Sequence, residues 1–479
     1  MNYRRILSDA GTSLIRSAIS ILAGLVVIPI ITRYIGEAEY GIWATVLSFV
    51  GLITTVGGMH LHGALIRYSE TETNQTFTDV LSLASMAAAS IALIVTVVAL
   101  GYKSVFGVES LPRGLIVPVG LLIGARIPTS ILLNFPRAQQ QVKHFEFLSA
   151  GRKIVETGTL VAVFWYLRDL VSALWALVGV AIGFGLLLLG VYRHYIDRLP
   201  NPTNYLKYLR YGVPMIPKEV AGSLLHHADK FLLLYFLGPV ATGVYTAAYS
   251  VTTVFPSLIG IFNGTLYPNV TAAWENEEFG QLSRFYTVFL RWYGILSIPA
   301  IIGLTLLADS VLRFISTPTI ARQGAVLIPI LAIAFSLQGL EFSLSYPLTA
   351  AEETKRIARI TVAAVLVNLV LNVALIPTIG MIGAAVATLM AFCIRTGWLY
   401  YYVDEHLNIQ IPIQGIGYSI LATIGMVAIL HLLTIEYWLW KLGLYPPIGA
   451  ISFGAIFILV GGLKTSENAK IVTVVNRKT

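Results

Sequence analysis

The dominant pattern along the chain is a succession of apolar stretches separated by short polar ones. About 20 residues of helix cross about 30 Å of hydrocarbon. Stretches of that order fall near 11–34, 40–65, 79–101, 114–135, 152–168, 170–192, 213–237, 240–267, 286–307, 321–348, 358–377, 380–402, 414–434 and 446–463. The pattern predicts an all-α polytopic membrane protein of about 14 transmembrane helices. The fifth stretch is the weakest, because its short core contains Glu156. The longest connection, 193–212, has about twenty residues, which leaves no room for a soluble catalytic domain. Pro29, Pro214, Pro217, Pro256, Pro299, Pro329 and Pro347 interrupt the apolar runs and predict kinked helices around a cavity.

Composition agrees with the pattern. The 479 residues are 56% hydrophobic and 12% charged, against about 25% charged in soluble domains. A formal net charge of +8 raises the question of nucleic acid, but the cations are scattered between apolar runs and follow topology instead. With the N-terminus inside, the inner segments hold nineteen Lys and Arg and the outer ones seven, among them Arg33, Arg168 and Lys441. This asymmetry is the signature of cytoplasmic loops and places both termini in the cytoplasm. Arg4 and Arg5 precede a long apolar run with no small-residue cleavage site, so the first span is read as retained. The single Cys393 excludes a disulfide framework.

The chain also repeats itself. Setting "YIGEAEYGIWATVLSF" (34–49) over "FLGPVATGVYTAAYSV" (236–251) places Gly36 on Gly238, Gly41 on Gly243 and Trp43 on Tyr245, at an offset of 202. Both segments form the outer turn between the first two spans of a six-span unit. A weaker match joins 170–184 to 381–395. Two six-span halves of like orientation are a parallel repeat, in which substrate sites lie near the midplane between the halves. The expected units are 1–200, a first six-helix bundle, 201–405, a second, and 406–479, two additional helices and a cytoplasmic tail.

Candidate chemistry concentrates in "KEVAGSLLHHADK" (218–230). At 3.6 residues per turn, Glu219, Gly222, Ser223, His226 and Lys230 form one stripe, with Asp229 and Lys218 at one edge and His227 at the other. A charge at the bilayer centre costs roughly 2.5–3.5 kcal/mol even on lenient insertion scales, so the stripe is expected to wall a hydrated cavity. The alternative for Asp229 and Lys230 is to pin the helix. Arg16, one turn into the first span, either snorkels to the interface or lines the same cavity through the repeat. Glu341 reads as a proton carrier, a cation ligand or a partner to a cavity lysine. His60 and His62 read as hydrogen-bonded packing residues, and Arg126, Arg291 and Arg395 have no evident partner. No phosphate-cradling Gly-rich loop, zinc-spaced Cys/His cluster or Gly-x-Ser-x-Gly elbow is present, so no catalytic residue, cofactor site or metal site is expected.

Three segments resemble a known family. "ADKFLLLYFLGPVATGVYTAAYSV" (228–251) is similar to the seventh-to-eighth span signature of the polysaccharide-biosynthesis flippases. "VNLVLNVALIPTIGMIGAAVATLMAF" (367–392) is similar to their eleventh-to-twelfth span stretch, and "ITRYIGEAEYGIWA" to their first outer turn. The superfamily also holds the multidrug and toxin extrusion transporters. The resemblance implies two six-helix bundles in a V, here with two further helices. It implies movement of a polyprenyl-(di)phosphate-linked oligosaccharide from the cytoplasmic to the outer leaflet by alternating access. It places Arg16, Lys218 and Lys230 as attractors of the diphosphate, offset by Glu219 and Asp229. Glu219, Asp229, Glu341 and His226 would meet sugar hydroxyls or couple transport to H+, Na+ or the membrane potential. Implied partners are the lipid-linked oligosaccharide, membrane lipids and the glycosyltransferases or polymerase of the same pathway. The alternative is a cation-coupled small-molecule exporter on the same fold.

Overall fold

The computed structural model describes residues 3–69, 73–106, 113–196, 199–410 and 413–462, which are helical with short turns and no strand among them. Arg198, Lys464, Lys470, Arg477 and Lys478, counted in the topology, lie outside the described residues. The first half of the chain comprises α1 (Tyr3–Tyr34), α2 (Glu37–Gly58), α3 (Leu61–Tyr68), α4 (Thr73–Phe106), α5 (Ile116–Ala138), α6 (Val142–Tyr166) and α7 (Leu170–Tyr192). A short α8 (Tyr205–Gly212) leads into α9 (Ile216–Thr252), α10 (Val254–Glu275), α11 (Phe279–Leu306), α12 (Ala308–Ile315) and α13 (Pro318–Gly324). The chain continues through α14 (Leu327–Ala350), α15 (Thr354–Ile379), α16 (Met381–Leu407), α17 (Ile413–Leu432) and α18 (Trp438–Leu459).

Eleven helical stretches among the described residues are long and apolar enough to cross a membrane, where fourteen were expected. The three outside that count correspond to α1, to α6, and to the second leg of α9 running on into α10. α9 is a hairpin. Gly238 leaves the helix at φ 83°, ψ −178°, and Pro239 restarts it. Tyr245 then bonds back to Asp229 and Tyr249 to His226, so the legs run antiparallel. α6 begins at Val142, ten residues before the apolar run expected at 152–168. Arg152 and Lys153, two of the nineteen inner cations, therefore sit inside a helix, which packs against α1 and α5.

Lipid removes most of the hydrophobic drive for helix association, so close approach of small residues and buried polar bonds decide the packing. The heart of the molecule is α2 against α9. A Cβ on Gly41 would lie 1.9 Å from the Pro239 carbonyl oxygen, and one on Gly243 would lie 2.3 Å from that of Glu37. Each contact is the other displaced by 202 residues, the offset of the sequence repeat. At the same end Arg33 donates from Nε to the Ser316 carbonyl at 3.0 Å and from Nη2 to those of Arg313 and Phe314 at 2.9 and 2.7 Å. Thr317 Oγ1 donates to Glu37. The Gly36/Gly238 end is thus tied across the two halves. α17 and α18 pair with one another on the flank of α11.

Between the halves, the 199–212 connection is held by Asp79 of α4, whose carboxylate is fully buried. It accepts hydrogen bonds from Asn201 N, Asn204 Nδ2 and Gln75 Nε2, each at 2.7 Å, and from Tyr208 Oη at 3.4 Å.

Candidate functional site

The first leg of α9 carries the polar stripe, and the structure divides it among three surroundings. At its head Lys218 is exposed and Glu219 half-buried. Glu219 Oε1 accepts a hydrogen bond from His60 Nδ1 at the break between α2 and α3, which ties the two halves at the end opposite Gly36 and Gly238. Midway, Gln338 of α14 meets His226 Nε2 through its amide nitrogen at 3.0 Å, which leaves Nδ1–H to donate to Tyr249 Oη at 3.1 Å.

Nearer the hairpin turn, Asp229 and Lys230 are 1% and 7% exposed. They do not wall an open cavity, contrary to the expectation for the whole stripe. The second leg folds back over them and supplies partners that a single-helix projection lacks. Asp229 Oδ2 accepts from Tyr245 Oη at 2.6 Å and Oδ1 from the Lys230 backbone N–H at 2.8 Å. Lys230 Nζ lies 4.8 Å above the Tyr249 ring and 3.3 Å from His227 Nδ1, which in turn lies 3.3 Å from Ser48 Oγ of α2. This arrangement satisfies two ionisable side chains within the protein, as membrane depth requires.

Glu341 also finds a protein partner. It is 3% exposed and pairs at 2.8 Å with Nη2 of Arg395 on α16, a residue for which the sequence offered no partner. Sequence reading missed the pair because it separates two helices and 54 positions, with no periodicity to connect them.

Arg16 of α1 pairs with the buried Glu146 of α6. Further along α6 lies a second charged group that the sequence did not single out. Arg152 Nε lies 3.1 Å from Glu156 one turn on. Arg126 from mid-α5 and Lys153 stand near enough to feel Arg152 and Glu156 electrostatically. Among the described residues, Arg126, Arg152 and Lys153 are grouped about Glu156, so three cations meet one carboxylate near the middle of α6, ten residues along the helix from Glu146. The Nε of Arg126 is shielded from solvent and has no hydrogen-bond acceptor among the described residues. The Arg152/Glu156 spacing of four, which places both on one helix face, was the available signal.

Against known proteins, the chain matches the family model of the polysaccharide biosynthesis protein over residues 6–274 and the MatE model over 214–374. It is 23% identical over 444 residues to the probable flippase AglR of Haloferax volcanii, covering 90% of this chain and 89% of AglR. It is 26% identical over 230 residues to the probable low-salt glycan biosynthesis flippase Agl15 of the same organism, a match that spans only 48% of either chain. Among solved structures, the lipid II flippase MurJ in an inward closed conformation superposes with a TM-score of 0.75 at 16% identity, over 92% of this chain and 97% of that one. An inward-facing multidrug resistance MATE transporter superposes with a TM-score of 0.66 at 14% identity, over 83% and 98%. These likenesses show the fold of a multi-pass membrane protein shared by both groups. With the first model spanning more than half of its length, the chain belongs to the polysaccharide biosynthesis protein family.

Proposed function

We propose that the chain is a flippase that carries a polyprenyl-(di)phosphate-linked oligosaccharide from the cytoplasmic to the outer leaflet. The observation that carries this reading is the cationic excess on α5 and α6, with the Nε of Arg126 shielded and without an acceptor among the described residues. A buried donor without an acceptor is costly, and a phosphate oxygen is the acceptor that suits a guanidinium best. Arg126, Arg152 and Lys153 take the diphosphate, and Arg16, paired with Glu146 nearer the start of α6, attracts it as well. Lys218, exposed at the head of α9, attracts it earlier. Lys230 and Asp229 hold the hairpin, and Glu219, His226 and Glu341 remain the candidates for sugar contact and ion coupling. The halves, near 1–200 and 201–405, rock about the α2–α9 contact while the polyprenyl tail stays in lipid. No covalent step is needed, so the chain acts as a transporter rather than an enzyme. The excess of inner cations supports cytoplasmic termini in a cell membrane, and the implied partners are enzymes that make and polymerise the glycan.

The test uses proteoliposomes carrying a fluorescent polyprenyl-diphosphate oligosaccharide and a quencher that cannot cross the bilayer. Arg126→Ala and Lys153→Ala should each slow flipping at least tenfold, while Arg126→Lys, which keeps charge but loses the fork, recovers part of the rate. Wild-type flipping by the double alanine variant would overturn the assignment. The match of 214–374 to the MatE model favours a second reading, export of a small cation. Dye efflux by the wild type without flipping would select it.

A further inference from the structure

We infer that His60, His62 and Glu219 form a site for a zinc-class divalent metal ion, which staples the two halves together at the end opposite Gly36 and Gly238. One ligand atom from each residue lies within 4.8 Å of the other two. Tetrahedral zinc with bonds near 2.0–2.2 Å needs ligand atoms about 3.4 Å apart, a contraction that side-chain torsions supply. All three side chains are half-buried. Two imidazoles and one carboxylate are a zinc donor set that leaves a fourth position for water. Magnesium and calcium, which prefer oxygen ligands, are disfavoured.

The backbone is built to bring these groups together. Residues two apart on a continuous helix point away from one another. Between α2 and α3, however, Met59 and His60 adopt φ of 45° and 52°, a left-handed conformation that non-glycine residues rarely take. The break turns the His60 and His62 rings to a centroid distance of 4.6 Å. Gly63 makes room for the His60 ring, since a Cβ there would lie 2.1 Å from His60 Nε2. Glu219 arrives from α9, 157 positions beyond His62, and already bonds His60. The nearby cation that acts on His62 is Arg137. Its guanidinium is drawn over the Phe145 ring at 4.9 Å and donates to Asn134 Oδ1 at 3.3 Å. A metal held here bridges α2–α3 to α9 and keeps that end of the transporter shut.

The experiment takes the purified, tag-free full chain in nanodiscs, stripped with a chelator. Wild type should take up one saturable equivalent of Zn2+ by equilibrium dialysis, none of Mg2+, and show the visible absorption of tetrahedral cobalt when loaded with Co2+. His62→Phe keeps a ring in place and leaves the His60–Glu219 hydrogen bond intact. It should weaken Zn2+ binding by at least roughly 100-fold and remove the rise in thermal stability that Zn2+ gives wild type. Absence of saturable uptake by wild type overturns the site. So does undiminished uptake by a monodisperse His62→Phe variant, which would leave His60 and Glu219 as a hydrogen-bonded latch alone. The cobalt spectrum needs no variant, so the inference stays testable if the substitutions misfold.

Discussion

Gly41→Ala tests the contact on which the halves meet. The added Cβ would fall 1.9 Å from the Pro239 carbonyl oxygen and 2.8 Å from the Gly243 nitrogen, both backbone atoms that cannot rotate aside. Ordinary van der Waals contact begins near 3.4 Å, so α2 and α9 must part by about 1.5 Å. Overpacking of this kind costs about 1–3 kcal/mol. Gly243→Ala creates the reciprocal clash at 2.3 Å with the Glu37 carbonyl oxygen and needs about 1.1 Å. One separation relieves both clashes. The double variant should therefore be at least about 0.5 kcal/mol less destabilised than the two single effects combined. Unfolding in mixed SDS micelles measures all three. In transport, a 1–3 kcal/mol penalty on the form closed at this end shifts its balance with the open form by about 5- to 150-fold. Wild-type stability in Gly41→Ala, or strict additivity in the double variant, would refute the reciprocal contact.

Other expectations follow from the buried polar groups. Glu341→Leu strands the Arg395 guanidinium and should cost about 3–5 kcal/mol, most of it recovered when Arg395→Leu is added; the same micelle unfolding reads both. Asp79→Ala removes the shared acceptor of Asn201, Asn204 and Gln75. It should cost about 1–3 kcal/mol and expose 199–204 to limited proteolysis, and an unchanged digestion pattern would show that the connection is held elsewhere. Asp169 caps α7. Burial draws its carboxyl upward, but hydrogen bonds from Ser172 N and Oγ, both at 2.8 Å, outweigh that and hold it below the usual carboxylate range. A carboxylate held low in the folded state stabilises at higher pH and loses that contribution as pH falls through its folded value. Between about pH 5 and about pH 3, wild type should lose more thermal stability than Asp169→Asn; parallel curves would exclude this titration.

Much of the fold was legible because membrane helices advertise themselves by apolarity and because the repeat left glycines at matching places. Gly36 with Gly238, and Gly41 with Gly243, were aligned from letters alone, and the second pair touches in space. Legibility failed where a polar face is buried by protein rather than exposed to lipid. α6 looked like a short, doubtful span because its short core contains Glu156, yet Glu156 gathers Arg126, Arg152 and Lys153 into the cationic cluster. Projection onto one helix put Glu219, His226 and Lys230 on one stripe but could not foresee the hairpin that encloses Asp229 and Lys230. The His60, His62 and Glu219 grouping lay beyond sequence reasoning altogether. It depends on two left-handed residues and on a helix that returns more than 150 positions later.

The pairing of charges also bears on the order in which the chain enters the membrane. Each charge inserted alone carries a penalty of roughly 2.5–3.5 kcal/mol at mid-bilayer. α6 is too polar to integrate on its own, but Arg16 and Arg126, which its carboxylates meet, belong to α1 and α5 and are already synthesised when it emerges. α14 has the opposite history. Glu341 leaves the ribosome 54 residues ahead of Arg395, so α14 must wait at the translocon, or insert protonated, until α16 delivers its counterion. Nascent chains truncated before and after residue 395 should reveal that delay as a difference in the membrane integration of α14.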